Sequence, residues 1–286
     1  MLNYNPRHWI IFLIHTYSKD IVSRLMPGLI MVAVFTSLIT YGFEKFNINY
    51  QSNTAVHSIL GIVLGFFLVF RTNTSYDRWW EGRKVWGALV NNCRNLSMKL
   101  NAMVPKDHPL YEPMQICISD YPKALKEHLR NGVPERHVQY LKNKLSISDM
   151  EHIPNAIARE LIINVNKIKK DGTIDGHQYR ILDSEVSSLT DLLGMCERIK
   201  NTPLPFSYVM FMKKFIFTYI ITLPFAFVTQ FGYWTIAIAV LLLYILLSIE
   251  LLAEEIEDPF GTDINDLPTD ELSIKINNNV EEIMKQ

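Results

Sequence analysis

Eight acids crowd one short stretch, EEIEDPFGTDINDLPTDEL: Glu254, Glu255, Glu257, Asp258, Asp263, Asp266, Asp270 and Glu271. Oxygens at that density suit a hard cation, because calcium takes about six to eight oxygen ligands from closely spaced carboxylates and backbone carbonyls. The order of the acids is not that of an EF-hand loop. The bland alternative is an acid-rich tail that is solvated or paired with bases. Other chemistry-bearing residues are sparse. Cys93, Cys117 and Cys196 form no C-x-x-C and no even framework, so they support neither a disulfide scaffold nor a zinc site. His57 stands alone in an apolar run, and no H-E-x-x-H, G-x-S-x-G or P-loop pattern occurs. With 28 bases against 29 acids and no basic cluster, the chain carries no nucleic-acid footprint.

A second dense stretch is FRTNTSYDRWWEGR, Phe70 to Arg83, which leaves an apolar run and at once gathers arginines, two acids and two adjacent tryptophans. On a helix, Trp79, Arg83 and Trp86 share a face, so a guanidinium plane can lie against indole rings. Asp77, Arg78 and Glu81 can pair with each other or with neighbouring chains. An interfacial belt of Trp and Arg at the headgroups reads equally well. Trp79 and Trp80 point about 100° apart on a helix, so one of them is expected to pack inward.

The elements that hold these residues are apolar helices. Leu25–Phe43, Phe46–Phe70 and Phe215–Ile249 contain no charged residue if His57 is neutral. A spanning helix needs about 20 mostly apolar residues, and the last run suits two spans, broken at TQFGYW where Gly232 marks a turn. Four transmembrane helices are therefore predicted at about 25–43, 54–71, 211–228 and 233–252. A soluble protein is not expected, because YWTIAIAVLLLYILLSI has no polar face to offer water. No cleaved leader is expected, because His15, Lys19 and Asp20 follow the first short apolar piece. No intramembrane acid or lysine is expected to be available for chemistry.

Bases near span ends set orientation. Arg7, Lys19 and Arg24 precede the first span, Arg71, Arg78, Arg83, Lys84 and Arg94 follow the second, and Lys213 and Lys214 introduce the third. The connections between spans one and two and between three and four are almost bare. Both termini and the middle segment are therefore placed in the cytoplasm of a multi-pass protein of the cell (inner) membrane. The expected organisation is a cytoplasmic N-terminal segment 1–24, spans one and two in 25–71, a cytoplasmic helical domain 72–210, spans three and four in 211–252, and an acidic cytoplasmic segment 253–286. The middle segment is helical by its three- and four-residue apolar spacing, punctuated by Pro105, Pro109, Pro113, Pro134 and KKDGTIDG. SIKINNNVEEIMKQ leaves a short helix and a disordered tail both open.

If Ala55 to Trp86 is one helix, Ser58, Ile62, Phe66 and Phe70 form a slowly turning stripe. Gly61 and Gly65 make a G-x-x-x-G beside it, the spacing at which membrane helices approach closely. Read from pattern alone, the stripe faces lipid or a core as readily as a pore.

VLGFFLVFRTNTSYDRWWEGRKVWGALVNNCRN resembles the signature of the bestrophin family in its bacterial branch. ERIKNTPLPFSY (Glu197–Tyr208) resembles that family's approach to the third span, and EIEDPFGTDINDLPTDEL (Glu255–Leu272) its acidic segment after the fourth. The three stretches fall in the family's order and the resemblance covers nearly the whole chain. It implies an all-α integral membrane protein of four transmembrane helices plus a cytoplasmic helical domain, assembled as a pentameric channel around a central pore. The family's hydrophobic neck maps onto Ser58, Ile62 and Phe66, with Ser58 a departure from the bulky apolar residue of eukaryotic members. A ring of Ile62 and Phe66 cannot replace an ion's water shell and would gate by dewetting or widening. The resemblance also implies a cytoplasmic aperture near Ile181, with Tyr179 and Arg180 as rivals. Arg71, Asp77, Arg78, Trp79, Trp80 and Arg83 would anchor the pore helix to its neighbours rather than conduct. Asp263 and Asp266 match the family's calcium-clasp acids and Asp258 a backbone-contributing neighbour, while Ile264 and Asn265 depart from it. No cofactor is required, and calcium is the one metal the resemblance suggests.

The function expected is conduction of monovalent ions, chloride and other anions foremost, by a homopentamer in membrane lipid. A sodium or potassium channel is the alternative, since no ring of bases or acids lies on the stripe. A non-conducting scaffold would need no hydrophobic neck. A membrane enzyme would use Asp263-x-x-Asp266 to hold magnesium and diphosphate, but such sites come in pairs and only one is present.

Overall fold

The computed structural model describes residues 16–48, 54–145 and 152–285, so Arg7 and most of the N-terminal segment 1–24 lie outside the described residues. Among the described residues the regular structure is helical throughout. In chain order the helices are α1 (Thr16–Lys45), α2 (Thr54–Met103), α3 (Tyr111–Leu129), α4 (Glu135–Lys144), α5 (Ile153–Lys170), α6 (Gly176–Asn201), α7 (Phe206–Phe231), α8 (Trp234–Glu257) and α9 (Thr269–Lys285). Among the described residues, four helical stretches are long and apolar enough to cross a bilayer: Ile21–Lys45, Thr54–Met103, Gly176–Phe231 (its apolar part being α7) and Trp234–Glu257. These match the four expected spans, although each helix runs past the bounds read from hydropathy. Hydropathy sees the bilayer core, whereas backbone hydrogen bonding continues into polar sequence.

Breaks between helices have local causes. Gly232, at φ 53°, closes α7 and turns the chain into α8, a left-handed conformation that glycine adopts without a Cβ clash. Asp175 starts α6 with a reciprocal capping box, its carboxylate accepting from the Gln178 N–H while the Gln178 side chain accepts from the Asp175 N–H.

One compact unit joins Leu2–Asp77 to Leu204–Glu257. Its buried centre is Val32 of α1, Leu64 and Leu68 of α2, Met212, Ile216, Ile220 and Leu223 of α7, and Ala239 and Leu243 of α8. The other joins Arg78–Pro203 to Asp258–Gln286. Its core takes Trp86, Leu89, Cys93, Leu96 and Leu100 from α2, Met114, Ile118 and Tyr121 from α3, Leu161 from α5, Leu189 from α6, and Ile276, Val280 and Met284 from α9. That core explains two findings. The stripe Trp86, Leu89, Cys93, Leu96, Leu100 repeats at three and four residues, so α2 stays helical to Met103 rather than to Trp86. The C-terminal tail is ordered as α9 because Ile276, Val280 and Met284 bury one face of it.

Candidate functional site

Helix α2 begins with two contrasting faces. His57, Leu64, Leu68, Arg71 and Ser75 recur at the spacing of one helix face and are all buried. The opposite face carries Ser58, Ile62 and Phe66, with Ile62 60% and Phe66 62% exposed on the chain. Ile59, Val69 and Phe70 flank them and are exposed as well. The Ser58 hydroxyl donates back to the Thr54 carbonyl at 2.9 Å, so its polarity is largely turned into its own helix. An exposed face this apolar is suited to lipid, to other copies of the chain, or to a dry constriction. It offers no ligand to a desolvated ion.

The buried face is tightly packed. The His57 ring stacks on Tyr219 of α7, centroids 4.2 Å apart, and meets Phe227 edge-on at 5.5 Å. A Cβ on Gly61 would lie 2.8 Å from the Tyr219 hydroxyl, so this glycine does permit close approach of α2 and α7. Gly65 has nothing within 4 Å. Only the first half of the expected G-x-x-x-G contact is therefore made within the chain.

Arg71 is fully buried and is the centre of a charge cluster. Its Nη2 lies 2.7 Å from a Glu257 carboxylate oxygen, its Nε 3.6 Å from Glu250, and its Nη1 donates to the Ser75 hydroxyl at 2.7 Å. Glu257 also accepts the Leu204 N–H at 2.7 Å. Glu250 is 2% exposed and falls inside the fourth span, which corrects the expectation of no acid there. Charge counting along the chain placed Glu250 at the end of the apolar run; packing against Arg71 draws it in.

Beyond Asp77 the dense stretch grips loops of its own chain. The Arg78 guanidinium donates to the carbonyls of Thr202 and Ile199, the latter at 2.6 Å, so it covers the C-terminal end of α6. Glu81 pairs with Arg198. The Trp79 indole donates to the Asn265 carbonyl at 2.9 Å, and its ring stacks on Trp80. A Cβ on Gly82 would meet Pro259, Phe260 and Leu267 at 3.1–3.2 Å, so the glycine lets the 258–267 loop seat against α2. Trp79 packs against the core while Trp80 is 47% exposed, as their angular separation requires. Asp77 is exposed and Arg83 half-buried.

The same loop holds the acids that match the family's calcium clasp. Asp266 is buried and its carboxylate accepts the Asp263 N–H at 2.6 Å, while the Asp266 N–H donates to the Asp263 carbonyl at 3.1 Å. The Asp263 side chain is exposed, and Asp258 pairs with Lys200. Two of the three acids are thus engaged in shaping and fastening the loop. In α6, Ile181 and Arg180 are exposed, while Tyr179 packs on the core beneath Lys169, whose ammonium is 4.3 Å from the ring centroid.

A family model described as Bacterial/Fungal Bestrophin protein matches residues 1–282. A voltage-dependent anion channel-forming protein of Nostoc sp. is 32% identical over 272 residues, covering 92% of this chain and 88% of that protein. A protein of the same description from Synechocystis sp. is 30% identical over 292 residues, 98% and 93% of the two chains. Among solved structures, a bacterial bestrophin homologue from Klebsiella pneumoniae is 28% identical with a TM-score of 0.79, covering 92% of this chain and 99% of that one. A point variant of that homologue superposes with a TM-score of 0.82 at 28% identity, over 92% and 100% of the two chains.

Proposed function

The chain belongs to the bestrophin family, and from that premise we propose that it is an anion channel, with chloride as the principal ion, formed by five copies around a central pore. The observation that carries the proposal is the apolar stripe of Ser58, Ile62 and Phe66, exposed on a helix whose opposite face is packed. Five such stripes turned to one axis would make a hydrophobic neck that passes ions when it is wetted or widened. The relatives described as anion channel-forming support the choice of ion. Ile181 is proposed as the cytoplasmic aperture in preference to Tyr179, whose ring is already packed. Both termini are assigned to the cytoplasm of a cell-membrane protein.

In this reading Asp77, Trp80 and Arg83 meet neighbouring copies, while Arg71, Arg78 and Trp79 brace the pore helix from within the chain. Conduction needs no cofactor, and the acidic loop is a structural brace rather than a calcium site. The test is a reversal potential in a planar bilayer under a chloride salt gradient, with wild type and Ile62→Ala in parallel. Reversal near the chloride equilibrium potential is expected. Reversal near that of the cation would retain the channel and overturn the ion. No current from either protein would favour a scaffold.

A further inference from the structure

The unit built on Arg78–Pro203 and Asp258–Gln286 brings together three ligating side chains that the sequence scatters over three elements. Glu197 near the end of α6 extends one carboxylate oxygen to two imidazoles at once. The Nε2 of His128, from the last turn of α3, lies 2.8 Å from Glu197 Oε1, and the Nε2 of His152, at the N-cap of α5, lies at the same 2.8 Å. The two rings are tilted by 44° with centroids 4.2 Å apart. One ligand atom from each residue falls within 4.8 Å of the other two, and among the described residues this is the sole such grouping of three or more His, Cys, Asp or Glu. The side chains are 27–31% exposed, so water and small ions reach them.

We propose that His128, His152 and Glu197 form a binding site for a divalent transition cation, zinc foremost, with an open position for water. The donor set decides the class. Two imidazoles and one carboxylate suit zinc and its first-row neighbours, whereas calcium and magnesium take oxygen ligands. Distances agree. A tetrahedral zinc about 2.0–2.1 Å from each ligand sets the ligand atoms about 3.3 Å apart. The two 2.8 Å contacts therefore need to open by only ~0.5 Å to admit the ion, within the reach of side-chain torsions. The neighbouring Cys196 is buried in the hydrophobic core and is not part of the grouping.

One cost is visible. His152 Nδ1 accepts the Asn155 N–H at 3.3 Å, which fixes the ring proton on Nε2. Ligation through Nε2 moves that proton to Nδ1 and gives up this long cap. The site would join α3, α5 and α6 through one ion, and it is independent of the conduction reading.

The cap also supplies the decisive variant. Asparagine is among the best N-cap residues, so His152→Asn keeps the start of α5 and removes only the imidazole. The full-length oligomer in detergent is stripped with chelator, then titrated with zinc by calorimetry, with thermal unfolding followed in zinc or calcium. Cobalt(II) serves as a visible-absorption probe of coordination. Saturable binding of one zinc per chain is expected, with a raised unfolding midpoint in zinc but not in equal calcium. Four-coordinate cobalt bands should appear. His152→Asn and Glu197→Gln should each weaken zinc by about tenfold or more, since even outer-shell partners of a metal cost that much. The metal-free midpoint of His152→Asn should fall by no more than a few degrees, the loss of one partly exposed hydrogen bond to Glu197. Absence of zinc binding by wild type, or equal affinity in His152→Asn, would overturn the site and leave a hydrogen-bonded brace of three side chains.

Discussion

Ile62 and Phe66 carry the sharpest functional consequence. Each presents its side chain from the unpacked face of α2. Truncation there removes no intrachain core, so stability should change little while the constriction widens. Ile62→Ala and Phe66→Ala are each expected to raise single-channel conductance or vesicle ion flux several-fold, with the unfolding midpoint within a few degrees of wild type. Unchanged flux in both would take this stripe out of the pore. Sequence spacing was enough to find these residues, because a helix fixes which side chains share a face. It could not say which face was packed. Spacing was also silent about Glu250, whose burial depends on Arg71, a residue far away in the chain.

At the scale of elements, the helices are fastened by a few polar groups that can be tested singly. Arg71 joins α2 to Glu250 and Glu257 of α8. Arg71→Met leaves two carboxylates without their cation, and breaking a buried pair from one side costs about 3–5 kcal/mol. A large fall in the unfolding midpoint of the detergent-solubilised protein is expected, partly recovered when Glu250→Gln is added. Gly82→Ala sets a methyl against Pro259, Phe260 and Leu267 at once; overpacking of about 1–3 kcal/mol, less about 1 kcal/mol gained in helix propensity, leaves an expected net loss of up to about 2 kcal/mol, readable in the same assay. Asp270 fastens α9 to α3, accepting from Arg130 at 2.9 Å and from Lys126 at 2.6 Å. Those bonds, Arg130's first, hold its carboxyl below the ordinary value. The folded state thus binds this proton less readily than the unfolded chain. The stabilisation is complete above the unfolded value of about 3.9 and is lost as pH falls through the lower folded value. Asp270→Asn should therefore lower the midpoint at pH 7 and flatten its decline below about pH 4.

For the whole molecule the expectations are the number of copies and the ion. Native mass measurement on the detergent-extracted protein should give five copies; a monomer or dimer would count against the central pore. The exposed apolar face of α2 gives the physical motive for assembly, since α2 can be surrounded by lipid on that face or by its own copies. Only the latter makes a conduit. The bilayer measurement then separates anion from cation conduction without altering the fold.

Much of this architecture was legible in the chain because bilayers and helices impose strong one-dimensional rules. Charge-free runs of about 20 residues, a Gly232 turn and three- and four-residue apolar spacing require no knowledge of partners in space. The order of the RWWEGR, ERIKNT and EDPFGTD stretches was likewise visible, and so was the family. Why those stretches occur together was not. Only the tertiary structure set Arg78 on the end of α6, Trp79 on Asn265 and Gly82 against Phe260, so that a stretch read as an anchor to neighbouring chains also proves to be a clasp within this one. The same holds for the acids. The family resemblance pointed to Asp258, Asp263 and Asp266 as a calcium clasp, and only the fold showed Asp258 paired with Lys200 and Asp266 turned onto its own loop. Meanwhile His128, His152 and Glu197, on separate elements and matching no spaced motif, converge on one point. Local periodicity is written in neighbouring residues; convergence of distant side chains is decided by how helices pack.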